Sequence, residues 1–199
     1  MSRPSPKSGA VKVVLPALAV VALLALLLTL IRAPSGTLPF SLARAASERV
    51  SELIEVPSSI RASKPSFSLD DLAGTRHDLS EAPAGLVLVH FFATWCEPCR
   101  EELPALQRLT GRGKDISVFA ISVGEPDIRV RRFFEPMPLP FPVLLDRDKE
   151  VAKIWQVATL PTTYVLDREL KPRLLVEGEF GWDQVGVEQL LDAVSSRGD

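Results

Sequence analysis

Leu86-Val87-Leu88-Val89-His90-Phe91-Phe92-Ala93-Thr94-Trp95-Cys96-Glu97-Pro98-Cys99 is the stretch that decides the fold. Its first seven residues are apolar except for His90, the pattern of a strand covered on both faces. Its last five hold both cysteines of the chain, two residues apart. A helix is expected to start there, because Leu103, Leu106 and Leu109 recur at helical spacing and Gly111 ends the run. Two thiols where a buried strand gives way to a helix are arranged for reversible disulfide exchange. The helix start offers unpaired N–H groups and a partial positive charge that favour a thiolate at Cys96. Cys99, about one turn on, is placed to close a disulfide or to resolve a mixed one. Trp95 would cover one side of the pair.

Other uses of the two cysteines fit less well. A structural zinc site takes about four ligands, and His77 and His90, the only histidines, belong to different segments. A purely structural disulfide so short would constrain almost no chain.

Outward from the motif, the chain alternates strands and helices. Ile116–Val123 reads as a second buried strand, and Pro126 opens a helix running to Phe134. Phe141–Leu145 is a short apolar run, Asp148–Trp155 reads as a helix, and Thr162–Leu166 and Leu174–Glu177 read as strands. Asp183–Ser196 reads as the last helix. Upstream, Ser66-Phe67-Ser68-Leu69 alternates apolar and polar residues, and Thr75–Leu79 is expected to pair back on it as a hairpin. This order implies an α/β sandwich with a central mixed β-sheet flanked by helices, over residues 62–199.

The N-terminal part has a different composition. Residues 13–31, VVLPALAVVALLALLLTLI, carry no charge. Nineteen residues at about 1.5 Å each span a hydrocarbon core of roughly 30 Å. The organisation expected is a cytoplasmic head (1–12), a single transmembrane anchor (13–31), a linker (32–61, with a short helix over Ser41–Glu55) and the globular domain. A cleavable signal peptide competes, since Ala43-Arg44-Ala45-Ala46 offers small residues for cleavage. However, signal cores are about 7–15 residues long and cleavage follows closely. Arg3, Lys7 and Lys12 precede the span while Arg32, Arg44 and Arg49 follow it, so the positive-inside rule favours a cytoplasmic N-terminus only weakly. A formal net charge of −2 over 199 residues gives no basic field to hold nucleic acid.

Trp95-Cys96-Glu97-Pro98-Cys99, Pro104 and Leu160-Pro161-Thr162-Thr163 together resemble the thioredoxin superfamily. More closely, the chain is similar to the membrane-tethered TlpA/ResA-like thiol–disulfide oxidoreductases, which include the cytochrome c maturation reductases. Phe67-Ser68-Leu69, Val123-Gly124-Glu125 and Phe141-Pro142-Val143-Leu144-Leu145-Asp146 extend the likeness over about Ala62 to Ser195. The resemblance implies a thioredoxin-like fold with an extra N-terminal hairpin, a redox-active Cys96–Cys99 disulfide and no cofactor. It implies that Pro161 is a cis-proline facing the dithiol, with the Leu160 backbone turned toward a substrate segment. Trp95, Leu160 and Pro161 are then substrate contacts. It implies that Glu102 is the acidic residue that tunes the cysteines and manages their protons. Otherwise Glu97, Glu101 and Glu102 are first-turn acids complementing the helix dipole. His90 departs from the thioredoxin pattern, which has a buried aspartate there. It is either a proton relay for Cys99 or a hydrogen-bonded core histidine. Pro104 should kink the motif helix, and His77 should be solvated in its hairpin.

The resemblance also implies partners and place. The clients would be disulfide-bearing proteins such as apocytochrome c or copper-delivery proteins, and the electron source a membrane donor of the CcdA/DsbD type. The domain would face the periplasm from the bacterial inner membrane. The acids near Cys96, opposed only by Arg100, should raise its pKa and make the couple reducing, one unit being about 1.4 kcal/mol or about 30 mV. Two alternatives are a thiol peroxidase on the same fold and a copper-binding or chaperone-like dithiol module.

Overall fold

The structure is a computed structural model, described for residues 54–63, 65–83, 85–113 and 115–196. The expected head, anchor and most of the linker lie outside these residues. Among the described residues no helix is long and apolar enough to cross a membrane.

The elements run β1 (Ile54–Glu55), α1 (Ser58–Ser63), β2 (Ser68–Asp70), β3 (Arg76–Asp78), β4 (Leu86–Phe92), α2 (Glu97–Thr110) and β5 (Ile116–Val123). They continue with α3 (Asp127–Phe134), β6 (Val143–Asp146), α4 (Glu150–Ile154), β7 (Thr162–Leu166), β8 (Pro172–Glu177) and α5 (Val187–Ser195). A six-stranded sheet has the order β1-β8-β7-β4-β5-β6, and β2–β3 form a separate hairpin. β4, β5 and β6 are parallel, while β7 and β8 are antiparallel to their neighbours, so the sheet is mixed as expected.

β4 lies in the middle and all seven of its residues are buried. Its alternating side chains supply two cores. Leu86 and Leu88 pack with Leu106 and Leu109 of α2 and with Leu190 and Val194 of α5. Val87, Val89 and Phe91 face the other way, toward Trp155, Tyr164 and Ile60. Phe92 continues the α2 side into a third cluster that contains both cysteines and Leu103. The period of two along β4 therefore fixes which side chains meet the dithiol helix.

Residues 54–61, expected in the linker, pack with the folded unit: Ile54 and Glu55 pair antiparallel with Leu175 and Leu174, and Ile60 is fully buried. Glu55 is accordingly in a strand, not at the end of a helix. The last helix starts at Val187, after a short 3-10 turn over Trp182–Gln184. Gly186 separates the two, and its N–H donates to Gln189 Oε1 at 3.0 Å, capping α5 there.

The hairpin covers the β6 edge through an isolated bridge from Asp71 to Leu144. His77 is not a solvated hairpin residue. It is half-buried, lies 2.9 Å from Asp71 and meets the Phe119 ring edge-on. Desolvation is the largest single influence on the Asp71 carboxyl and raises its pKa, but the His77 contact and the backbone bonds from Thr75 and Ala73 together outweigh it and hold the carboxyl below its usual range.

Candidate active site

The dithiol lies at the carboxyl end of β4, where the parallel strands open onto the head of α2. Cys96 is the N-cap of α2 and Cys99 lies in its first turn, with Pro98 among the leading positions where a missing N–H costs nothing. The two form a disulfide with a Cα–Cα distance of 5.3 Å. The Cys99 N–H donates to Cys96 Sγ at 3.3 Å, so the helix start already presents a donor to the sulfur that would carry negative charge. Cys96 is 6% exposed and Cys99 fully buried, which leaves Cys96 as the sulfur a partner can reach.

The turn before Cys96 is fastened by a residue whose role is not visible in the sequence. Glu125, buried just past the end of β5, accepts hydrogen bonds from Thr94 N–H at 2.8 Å and Thr94 Oγ1 at 2.6 Å. Ser122 Oγ adds a third at 2.9 Å. Cys96 N–H donates to Ala93 O at 3.1 Å, closing the turn. The neighbouring Gly124, at φ +67°, permits this reversal: a Cβ there would meet Lys149 Cε at 2.1 Å.

Across the loop, the Leu160–Pro161 peptide bond is cis, as expected. Leu160 is half-buried against the cluster that holds both cysteines. Among the described residues its backbone N–H and C=O have no hydrogen-bond partner. Leu160, Thr159, Ala158, Val157, Val123 and Trp95 line a groove of about 380 Å³. None of these carries a charge. Trp95 is 66% exposed, far above what a large aromatic side chain needs for packing alone.

Beneath the dithiol lie the two titratable residues singled out in the sequence. Glu102 follows Cys99 by one turn on α2 and is 2% exposed. Its Oε1 accepts from Phe180 N–H at 2.7 Å and from Trp182 Nε1–H at 3.0 Å. Burial pushes its pKa up to about 8, against the pull of those two donors. His90 is fully buried, with Nδ1 2.9 Å from Thr163 Oγ1, its register partner on β7. Desolvation lowers its pKa to about 3, so it is neutral at ordinary pH. Glu102 Oε2 lies 3.9 Å from His90 Nδ1, and among the described residues neither Glu102 Oε2 nor His90 Nε2 has a hydrogen-bond partner.

Of the three acids expected to crowd Cys96, Glu97 and Glu101 are exposed on α2 while Glu102 is buried and protonated at neutral pH. Glu102 therefore adds negative charge only as the pH approaches 8. Pro104 lies inside α2, which runs on to Thr110. Glu125, Phe180 and Trp182 went unremarked as site residues in the sequence. Glu125 at least follows a strand end and a glycine, whereas Trp182 lies 80 residues from its partner with no local pattern to mark it.

A family model described as the AhpC/TSA family matches residues 60–173. The chain belongs to that family. The chain is also similar to proteins named thiol–disulfide oxidoreductase ResA. The one from Geobacillus thermodenitrificans is 34% identical over 116 residues, covering 57% of this chain and 67% of the relative. That from Bacillus subtilis is 37% identical over 116 residues, covering 57% and 65%. A crystal structure of a thiol:disulfide interchange protein DsbE from Chlorobium tepidum aligns with a TM-score of 0.60 at 27% identity. It covers 66% of this chain and 94% of that one. StoA from Bacillus subtilis, at 21% identity and a TM-score of 0.53, shares the fold. This AhpC/TSA member is thus a thiol–disulfide oxidoreductase of the ResA type with a thioredoxin-like fold, and its Cys96 and Cys99 are joined in a disulfide.

Proposed function

We propose that this oxidoreductase is a membrane-anchored reductase of disulfides in client proteins, facing the periplasm. Apocytochrome c and copper-delivery proteins are the clients in view, with electrons supplied by a membrane donor of the CcdA/DsbD type. The observation that carries the exchange reading is the Cys96–Cys99 disulfide at the N-cap of α2, beside a backbone at Leu160 whose N–H and C=O are unpaired. An extended client segment can add to that backbone as a short antiparallel strand. The uncharged groove beside Trp95 would then receive an apolar side chain near the client cysteine.

In the reduced enzyme, the Cys96 thiolate attacks a client disulfide, forming a mixed disulfide and releasing one client sulfur as thiolate. Cys99 gives its thiol proton to the ionised Glu102, and the resulting thiolate attacks Cys96 Sγ. The enzyme disulfide forms, the second client sulfur leaves as thiolate, and two electrons have passed to the client. His90, neutral at ordinary pH, holds the inner side of this site through Thr163. The uncharged run over residues 13–31 supports an anchor, which would raise the effective concentration of membrane-bound partners.

Direction follows from charge. Glu97 and Glu101 oppose a thiolate at Cys96 and so favour the disulfide, which makes the couple a reductant. Equilibration with dithiothreitol and glutathione buffers tests this, together with insulin reduction by the full chain. A potential well below that of a strong oxidant, and turnover of insulin, are expected; a potential near about −120 mV overturns the reductase reading. Hydroperoxide consumption without insulin turnover would mark the chain as a peroxidase, and tight Cu(I) binding without turnover would mark it as a copper module.

A further inference from the structure

The Glu102 carboxylate is held from outside its own helix. Both donors to Oε1, the Phe180 N–H and the Trp182 Nε1–H, come from the segment between β8 and α5. Phe180 and Trp182 are both buried and brace each other, with ring centroids 4.6 Å apart. The same segment is tied to α2 by the Arg108–Asp183 ion pair at 2.7 Å, and to the turn that follows α2 by Arg112 donating to the Asp183 carbonyl. With both donors on Oε1, the unpartnered Oε2 is the atom left to carry the proton, and it faces His90.

We propose that Trp182, together with the Phe180 amide, is the positioning element that aims Glu102 Oε2 at the space beneath the dithiol and sets the pH at which the Cys96–Cys99 pair exchanges. This rests on the reading of Glu102 as acceptor of the Cys99 proton. Hydrogen bonds to a charged group are worth more than those to a neutral one, so both donors favour the carboxylate over the acid. They work against burial, and against Glu179, whose charge nearby favours the protonated form. The other titratable groups facing Glu102 are His90 from β4 and Cys99 one turn back on α2. Asp183 is engaged with Arg108 at the surface. Removing the Trp182 N–H leaves Oε1 with one donor, so Glu102 should hold its proton to higher pH.

The test compares the full chain in detergent with W182F and with Trp182 replaced by benzothienylalanine, which keeps the ring shape and lacks the N–H. Carbon-13 labelling of glutamate carboxyls reads the Glu102 midpoint directly, and the pH profile of mixed-disulfide resolution reads its effect on the reaction. Both should move up by about one pH unit in both variants. A Glu102 midpoint unchanged in the benzothienylalanine protein overturns the proposal, even where E102Q flattens the profile and the role of Glu102 stands. A midpoint that moves while the profile stays fixed overturns both the proposal and the role of Glu102. If W182F fails to fold, the benzothienylalanine protein decides.

Discussion

Glu102 and His90 face each other across the α2–β4 interface, Oε2 to Nδ1 at 3.9 Å, displaced in opposite directions by the same burial. The glutamate keeps its proton and the histidine refuses one, so the pair is uncharged at neutral pH.

That pairing should shape the stability of the oxidised protein against pH. Between about 3 and 6.5 an unfolded His90 binds a proton that the folded one does not, so stability rises with pH. Between 4.5 and about 8 the folded Glu102 holds a proton that the unfolded one has lost, so stability falls with pH. The two overlap from 4.5 to 6.5, where they offset. Chemical denaturation followed across pH should give a plateau near pH 5–6, a fall toward pH 8 that E102Q abolishes, and a fall toward pH 3 that His90→Asn weakens. Each unit of displacement corresponds to about 1.4 kcal/mol.

Glu102→Gln should slow resolution of the mixed disulfide by about tenfold or more above pH 8, where the native carboxylate is ionised, and by less near pH 6. Stopped-flow release of a labelled client from Cys96 measures it. An equal slowing at both pH values would assign Glu102 a packing role only.

Trp95→Ala should lower kcat/KM for a protein disulfide by about fivefold to tenfold through KM, because the side chain walls the uncharged groove proposed to receive the client. Stability should change by no more than about 0.5 kcal/mol, since the ring is 66% exposed. Reduction of a small aromatic disulfide, which has little to lay in the groove, should be nearly unaffected.

Glu125→Ala leaves the Thr94 N–H and two hydroxyls without their acceptor in a buried turn. A loss of about 2–4 kcal/mol is expected on urea denaturation. Glu125→Gln should cost far less, because its oxygen can accept from Thr94 N–H and Ser122 while its amide donates to Thr94 Oγ1.

These residues also show where the sequence could be read and where it could not. β4 and the dithiol helix were legible because each is a local pattern, an apolar run and a 3.6-residue repeat ending in glycine; the Leu160–Pro161 loop was legible only through its family resemblance. β1 escaped because it is two residues long, exposed, and defined only by pairing with Leu174 and Leu175 some 120 positions later. Gly186 stops α5 from starting at Asp183, although the apolar spacing alone extends it that far. The holds on Thr94 and Glu102 are side-chain hydrogen bonds between segments 31 and 78–80 residues apart, which no periodicity encodes. His77 looked solvated because its partner, Asp71, reaches it only once the hairpin closes.

Capture of clients by the Cys99→Ser protein tests the central claim most directly. The reduced Cys99→Ser chain, mixed with oxidised client proteins, should accumulate a mixed disulfide on Cys96 that reductant releases and that Cys96→Ser never forms. Absence of that adduct from Cys99→Ser, or equal trapping by both variants, would contradict attack by Cys96 and resolution by Cys99.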